Sequence, residues 1–238
     1  ATVLEDANSY FIDCLENSNN AKGVTDYLTS RGYSSEDIEA MELGYIPSQD
    51  QLYKHLRDKK RHAQSLIDES LKLNKAIGDT HSLTIPYRSG GSIKGFKFRT
   101  IGEPPKGFDR YMNNTELKKS GGFFNLSGIS GDKDVVIVEG ELDSLHATVK
   151  GLENVVATGG SSVNSDQVKD AIRRGAKKFT ICLDREPGKE DETAKRVNSV
   201  IEVILGEGVN RVYIVTLPEL GGAKTDPDKL IKEKGVEA

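Results

Sequence analysis

Acidic residues recur at three points in the second half of this 238-residue chain. One group follows the apolar run 135–138, another follows 179–183, and the last comes shortly after 212–215. The six carboxylates are Glu139, Asp143, Asp184, Glu186, Asp226 and Asp228. Carboxylates gathered in one place repel one another and need a cation among them. Since Mg²⁺ and Mn²⁺ prefer oxygen ligands, the pattern predicts a site for a divalent ion of this kind.

Four short apolar runs are predicted to be the strands that position these acids. They cover residues 135–138, 155–157, 179–183 and 212–215, and segments with helical spacing separate them. Strands that alternate with helices predict βαβ units and a parallel sheet. In such sheets ligands bind at the edge where the strands end. A lone acid there more often caps a helix. The predicted ion site therefore depends on acids from three strand ends.

The first part of the chain has a different pattern. Residues 1–78 carry apolar side chains at helical spacing, and residues 82–101 are predicted to be two strands around a glycine turn. Residues 102–133 are rich in glycine and proline, which favours irregular structure. We therefore predict an α/β chain with two domains. Residues 1–130 form a mixed α+β subdomain, and residues 131–238 form a parallel sheet flanked by helices.

Charge and cysteine content exclude several classes of protein. The 33 Lys and Arg against 37 Asp and Glu give a net charge of −4, which does not by itself predict nucleic-acid binding. Residues 75–130, however, hold nine basic and four acidic residues. Cys14 and Cys182 stand far apart, which argues against a zinc ribbon or a disulfide scaffold and fits a cytoplasmic protein. No apolar run approaches the ~18 residues of a membrane span, so we expect no membrane partner.

The acidic motifs carry a resemblance to a known family. Residues 135–143, Val-Val-Ile-Val-Glu-Gly-Glu-Leu-Asp, precede an acid-x-acid pair that lies 45 residues after Glu139. Together they resemble the TOPRIM domain of topoisomerases and DnaG-type primases. Residues 224–231 resemble the Asp-Pro-Asp segment of bacterial and phage primases, and residues 27–34 and 43–47 resemble the N-terminal subdomain of the primase core. Residues 85–87, 95–99 and 110–114 resemble the segments that build its basic groove. The chain thus resembles a DnaG-type primase catalytic core of bacterial, phage or plasmid origin.

This resemblance implies an activity and the residues that perform it. A DNA primase is a DNA-directed RNA polymerase of the primosome, which makes short RNA primers on single-stranded DNA from ribonucleoside triphosphates. When the motif positions of the family are carried over to this chain, the resemblance implies that all six carboxylates bind Mg²⁺ or Mn²⁺, with more than one ion. It also implies that Glu139, Asp184 and Glu186 are catalytic. Glu186 stands where the family usually has aspartate. The residues implied in template or nucleotide binding are Lys97, Arg99, Arg110, Tyr111, Asn113, Lys118 and Lys119.

Two other functions remain open at this point. A TOPRIM nuclease uses a similar acid cluster to cut nucleic acid, and a catalytically weak TOPRIM module would only bind nucleic acid or a replisome partner. Glu186 is the main argument for the weak module. The resemblance also implies a replicative helicase as a partner, through C-terminal parts beyond this chain, and a bacterial cytoplasmic location. Since the chain begins with Ala1, we expect a trimmed catalytic core.

Overall fold

The structure is a computed structural model that describes residues 2–114, 122–129, 131, 134–160 and 162–237. It divides into two compact units, residues 1–118 and 119–238. The domain boundary that we predict after residue 130 stays a prediction, because residues 130, 132 and 133 lie outside the described ranges. Within those ranges, no helix combines the length and the apolar character that crossing a membrane requires.

The first unit combines helices with an antiparallel sheet, as predicted. Its helices are α1 (Val3–Asn17), α2 (Lys22–Ser30), α3 (Ser35–Ala40), α4 (Gln49–Lys54) and α5 (Gln64–Leu71). Its strands are β1 (Gly44–Tyr45), β2 (Leu83–Ser89), β3 (Ser92–Arg99) and β4 (Tyr111–Asn113), and they pair in that order. The hydroxyl of Ser34 accepts a hydrogen bond from the Asp37 amide at 3.1 Å and so caps α3. The predicted hairpin, β2 with β3, is confirmed.

Close packing of α1 against this sheet forms the core of the first unit. The ring of Phe11 meets those of Phe96 and Phe98 edge-on, with centroids 5.2 and 6.3 Å apart. The chain of β1 passes directly beneath α1 at Gly44. A methyl group there would lie 2.7 Å from the Phe11 carbonyl carbon and 2.8 Å from the Thr84 hydroxyl. Glycine at position 44 therefore allows the helix and the strand to approach each other.

Substituting Gly44 with alanine tests this packing. We expect Gly44→Ala to lower the free energy of unfolding by about 2 kcal/mol, because the backbone of Phe11 cannot move aside without disturbing the core. Gly23→Ala is the matched control, since nothing lies within 4 Å of a methyl group there. In α2 that change should be neutral or stabilising by up to about 1 kcal/mol. Urea denaturation, monitored by circular dichroism, compares the stabilities of the two variants. Equal stabilities would contradict the close approach of α1 and β1 at Gly44.

The second unit holds the predicted parallel sheet. Its strands are β5 (Asp134–Val138), β6 (Val155–Ala157), β7 (Lys178–Ile181) and β8 (Val212–Ile214), in the order β6-β5-β7-β8. The helices are α6 (Glu141–Val149), α7 (Ser165–Arg173), α8 (Glu190–Gly206) and α9 (Pro227–Lys234). Each pair of neighbouring strands is parallel, which confirms the prediction. The third strand ends at Ile181, two residues earlier than predicted.

The register of the two central strands positions the first acids. Ile137 of β5 lies opposite Ile181 of β7, and both side chains are fully buried in the core. Glu139 and Asp184 follow these residues closely in sequence. Since parallel neighbours end at the same edge of a sheet, both carboxylates emerge side by side.

Candidate active site

Glu139 and Asp184 are in direct contact. The backbone amide of Asp184 donates a hydrogen bond to Glu139 Oε1 at 3.1 Å. Arg196 of α8 contacts the same oxygen through Nη1 at 2.8 Å. The Glu139 carboxylate is therefore held beside Asp184 by one backbone amide and one cation. Sequence analysis did not identify Arg196, which lies in a charged stretch of α8 and belongs to no recognisable motif.

Asp184 is the most unusual carboxylate of the site. The residue is 5% exposed, and its Oδ2 lies 2.6 Å from Lys224 Nζ. Its other oxygen, Oδ1, is buried and has no hydrogen-bond partner. Burial, together with the charges of Glu139 and Asp226, raises the pKa of Asp184 to about 6, although Lys224 opposes the shift. One neighbouring lysine therefore does not fully compensate for the burial of this charge.

Glu186 shares Lys224 with Asp184. Its Oε1 lies 3.7 Å from Lys224 Nζ, and its Oε2 lies 2.6 Å from Lys189 Nζ. The hydrogen bond from Lys189 lowers the pKa of Glu186 below its ordinary value. The Glu186 side chain is 31% exposed, whereas that of Asp184 is 7% exposed. Glu186 therefore carries its charge at the solvent side of the pair.

A backbone bridge brings the third acidic segment to this edge of the sheet. The amide of Arg185 donates to the Thr225 carbonyl at 2.8 Å, and the Thr225 amide donates back to the Arg185 carbonyl at 2.9 Å. Lys224 and Asp226 stand on either side of this bridge. Asp226 Oδ1 accepts a hydrogen bond from the Lys229 amide at 2.8 Å and caps α9. Asp226 thus caps a helix and also adds negative charge near Asp184.

Asp143 and Asp228 form a separate, buried pair between α6 and α9. They are 5% and 2% exposed, and the Asp228 amide lies 3.4 Å from Asp143 Oδ1. His146 Nδ1 lies 2.9 Å from Asp228 Oδ1. A methyl group at Gly140 would overlap Asp143 Oδ2, so glycine makes room for this carboxylate. His146, which the sequence does not distinguish from an ordinary helix residue, therefore belongs to the packing of this pair.

The six predicted acids are thus not gathered into one compact ligand set. Within the described residues, no three His, Cys, Asp or Glu side chains are close enough together to hold a metal ion. The donors nevertheless fit a hard divalent ion, because Asp184 Oδ1 is a buried oxygen without a partner, adjacent to Glu139. Mg²⁺ is commonly held by one or two carboxylates, with waters and substrate phosphates completing its octahedron. A carboxylate pair satisfies that requirement.

Two of the predicted nucleic-acid residues are buried in the first unit. Lys97 and Arg99 are 8% and 6% exposed. The guanidinium carbon of Arg99 lies 4.2 Å from the Tyr27 ring centroid and 5.4 Å from that of Tyr111. Arg99 Nε also donates to the Tyr111 hydroxyl at 3.0 Å, and Lys97 Nζ lies 4.8 Å from the same ring. In this arrangement both cations stabilise the packing of aromatic side chains.

Other members of the predicted set are more accessible. The Arg110 side chain is 43% exposed and lies 3.4 Å from Glu103. Tyr111 and Asn113 are half-buried, and Asn113 Oδ1 is a buried acceptor without a hydrogen-bond partner. Lys118 and Lys119 lie outside the described residues. Among the predicted residues that the structure describes, Arg110 is therefore the best placed to meet a phosphate in solution.

Comparison with protein families identifies the chain. Residues 10–128 match the family described as DNA primase catalytic core, N-terminal domain, and residues 136–231 match a Toprim-like domain. The first match covers half of the chain. The chain therefore belongs to the DnaG-type DNA primase catalytic core family, with the N-terminal core domain followed by a Toprim domain.

Individual relatives agree with this assignment. The chain is 26% identical over 241 residues to a DNA primase of Chlamydia pneumoniae and 29% identical over 231 residues to one of Aquifex aeolicus. These alignments cover 98% and 90% of this chain but only 39% and 43% of the relatives. The chain thus spans about two fifths of their length. Because these relatives are named primases, the nuclease and the catalytically weak module are not favoured.

Solved structures show the same fold. The zinc-binding and RNA polymerase domains of the Aquifex aeolicus primase match with a TM-score of 0.79 and 28% identity, over 99% of this chain and 58% of that one. The RNA polymerase domain of Mycobacterium tuberculosis primase DnaG matches with a TM-score of 0.79 and 20% identity, over 99% and 79%. The predicted fold class is confirmed. Toprim primases depend on metal ions, which agrees with the donors at Asp184.

Proposed function

We propose that this chain is the RNA polymerase part of a DNA primase and makes short RNA primers on single-stranded DNA. The observation that carries the proposal is Asp184, a buried carboxylate with one oxygen lacking a hydrogen-bond partner, next to Glu139 at the edge of a Toprim sheet. Family membership supports the reaction class, since the relatives in the comparison are named DNA primases. Nucleotidyl transfer needs positive charge at such an edge to position a triphosphate.

We infer that Glu139, Asp184 and Glu186 hold Mg²⁺ or Mn²⁺, with more than one ion in the working site. A bound ion of this kind supplies charge to the triphosphate and the leaving pyrophosphate and activates the primer 3′-hydroxyl. The Asp184 amide fixes the Glu139 carboxylate in position, and Arg196 balances its charge. The ligand roles of Asp143, Asp226 and Asp228 stay predictions. Their contacts support a positioning role, because each is bonded within α6 or α9 or between them.

Single-stranded DNA is the proposed template, and ribonucleoside triphosphates are the proposed substrates. One neighbour in fold, of 20% identity, is the DnaG primase catalytic domain bound to ssDNA. In this chain we assign phosphate contacts to exposed Arg110, with Tyr111 and Asn113 beside it and Lys118 and Lys119 as further predicted contacts. Buried Lys97 and Arg99 would then shape the surface and hold Tyr111 in place. A replicative helicase and a bacterial, phage or plasmid source with a cytoplasmic location are further predictions.

Salt dependence tests the proposed template surface. If four phosphates are neutralised, affinity for an oligo(dT) should fall by about fiftyfold between 50 and 200 mM salt, because binding releases condensed counterions. Fluorescence anisotropy of a labelled oligonucleotide measures this slope. Arg110→Ala should make the slope shallower, whereas Glu103→Gln, which removes the acid beside Arg110, should not. Salt-independent binding would contradict an electrostatic template surface.

Primer synthesis itself is the direct test of the proposed function. Single-stranded templates are incubated with radiolabelled ribonucleotides and Mg²⁺, Mn²⁺ or EDTA. A supplied RNA dinucleotide removes the need for start-site recognition. We expect extension products with either ion and none with EDTA. Absence of product on all templates would contradict the proposal, and nicking of DNA without nucleotides would indicate a nuclease instead.

A further inference from the structure

Lys224 places a positive charge beside Asp184 and Glu186, two of the carboxylates that would hold a divalent ion. Its Nζ lies 2.6 Å from Asp184 Oδ2 and 3.7 Å from Glu186 Oε1. Lys224 contacts Oδ2 of Asp184, whereas the oxygen without a partner is Oδ1 of the same carboxylate. An ammonium group at one oxygen repels a divalent cation at the other, because both positive charges then lie within a few ångströms of each other. The geometry therefore places an intrinsic cation in direct competition with an external one.

Lys224 brings a full positive charge to the site, because a lysine side chain is ordinarily charged at neutral pH. Its ammonium group contacts Asp184 Oδ2 at 2.6 Å and Glu186 Oε1 at 3.7 Å. It therefore offsets part of the negative charge that an external cation would otherwise meet.

The segment around Lys224 allows the side chain to leave while the backbone stays in place. The side chain is 49% exposed. The next residue, Thr225, is fully buried and fixed by the backbone bridge to Arg185. Rotation of the long lysine side chain toward solvent therefore needs no movement of Asp184 or of the bridge.

We propose that Lys224 is a built-in counter-ion, which pairs with Asp184 and Glu186 in the metal-free protein and is displaced from Asp184 when a divalent ion binds. This inference rests on the proposed function, because it requires an ion at Asp184. Its consequence is that the wild-type protein binds the bare ion more weakly than its carboxylates alone would allow. Lys224 would thereby set the metal concentration at which the site fills.

Binding of Mn²⁺ in the absence of nucleotide tests the inference. Free Mn²⁺ is measured by electron paramagnetic resonance during titration of the wild type, Lys224→Met, Lys189→Met and Asp184→Asn. We expect Lys224→Met to bind Mn²⁺ about tenfold more tightly, because one positive charge is removed from beside the Asp184 carboxylate. Lys189→Met is the matched control, since Lys189 pairs with Glu186 at 2.6 Å. It should change the affinity by about twofold or less, because Lys189 pairs with the more exposed Glu186, whereas Lys224 contacts the buried carboxylate of Asp184.

The outcomes separate the inference from the proposed function. Suppose that the wild type binds Mn²⁺ and Asp184→Asn abolishes this binding. If Lys224→Met then binds Mn²⁺ no more tightly than the wild type, the metal site at Asp184 is supported, but the counter-ion role of Lys224 is wrong. Equal gains in Lys224→Met and Lys189→Met also overturn it, because they indicate only a general effect of charge. Absence of binding in both the wild type and Lys224→Met overturns the metal site and the counter-ion together. Lys224→Gln also removes the charge and should show the same gain in Mn²⁺ affinity as Lys224→Met. Circular dichroism spectra of both variants check that they are folded.

Discussion

Asp184→Asn is expected to lower the rate of primer extension by about a thousandfold or more at saturating Mg²⁺, a loss of roughly 4 kcal/mol in transition-state stabilisation. Asparagine keeps the shape of the side chain and removes its charge. The carboxylate has one oxygen on Lys224 and one buried oxygen without a hydrogen-bond partner. An amide offers only one carbonyl oxygen and no negative charge, so it cannot replace this ligand. Initial rates of extension of a supplied RNA dinucleotide measure the effect.

A neighbouring acid provides the control for this substitution. Asp191 is an exposed residue in the first turn of α8, and Asp191→Asn removes the same charge. Its effect on extension should stay within about twofold, because an exposed charge is screened by solvent and salt. An Asp184→Asn protein that kept a tenth of the wild-type rate would contradict the role of Asp184 as an ion ligand.

The same substitution is expected to stabilise the metal-free protein at high pH. An aspartate in an unfolded chain has a pKa near 3.9, whereas the pKa of Asp184 in the fold is about 6. Between pH 4 and pH 6 the folded state therefore binds more protons than the unfolded state does. The stabilisation that Asp184 contributes to the folded state is fully present below about pH 4 and is lost as the pH rises through 6. A difference of about two pKa units corresponds to up to about 3 kcal/mol.

Urea denaturation in EDTA at a series of pH values measures this effect. At pH 8, Asp184→Asn should be more stable than the wild type by up to about 3 kcal/mol, and the difference should shrink toward zero near pH 4. Lys224, which loses its partner in the variant, is half exposed and can turn toward solvent. Asp191→Asn should follow the wild-type profile. A variant less stable than the wild type at pH 8 would show that the Lys224 pair outweighs the cost of burying the charge.

The strands of the second unit could be predicted because their signal is local. Short apolar runs between turn residues, such as 135–138, favour the strands of a parallel sheet. The acids that follow could be located for the same reason, since a residue after a strand must lie at its end. The sequence does not say which of these acids meet. The close pair is Glu139 with Asp184, and it depends on β5 and β7 being neighbours in the sheet.

The cations of the site could not be predicted, because they come from elements distant in sequence. Arg196 reaches Glu139 from α8, and Lys224 reaches Asp184 because a backbone bridge joins two loops. The burial of Lys97 and Arg99 has a similar origin. They alternate along β3 and look like one exposed face, but β4 pairs with that strand and brings Tyr111 against them. Contacts of this kind depend on long-range pairing rather than on local pattern.

The bridge between Arg185 and Thr225 also bears on how this enzyme family could vary in length. Between β8 and the bridge the chain runs through residues 215–224, including Gly221 and Gly222, whose φ angles are 68° and 69°. Two backbone hydrogen bonds fix the end of this loop, and buried Leu217 holds its beginning. Closing a somewhat longer loop costs little, about 0.6 kcal/mol for each doubling of its length. Insertions at the exposed Gly221–Gly222 turn would therefore extend the surface of the molecule while the bridge keeps Lys224 and Asp226 in place. This turn is a suitable position for a tag or a reporter.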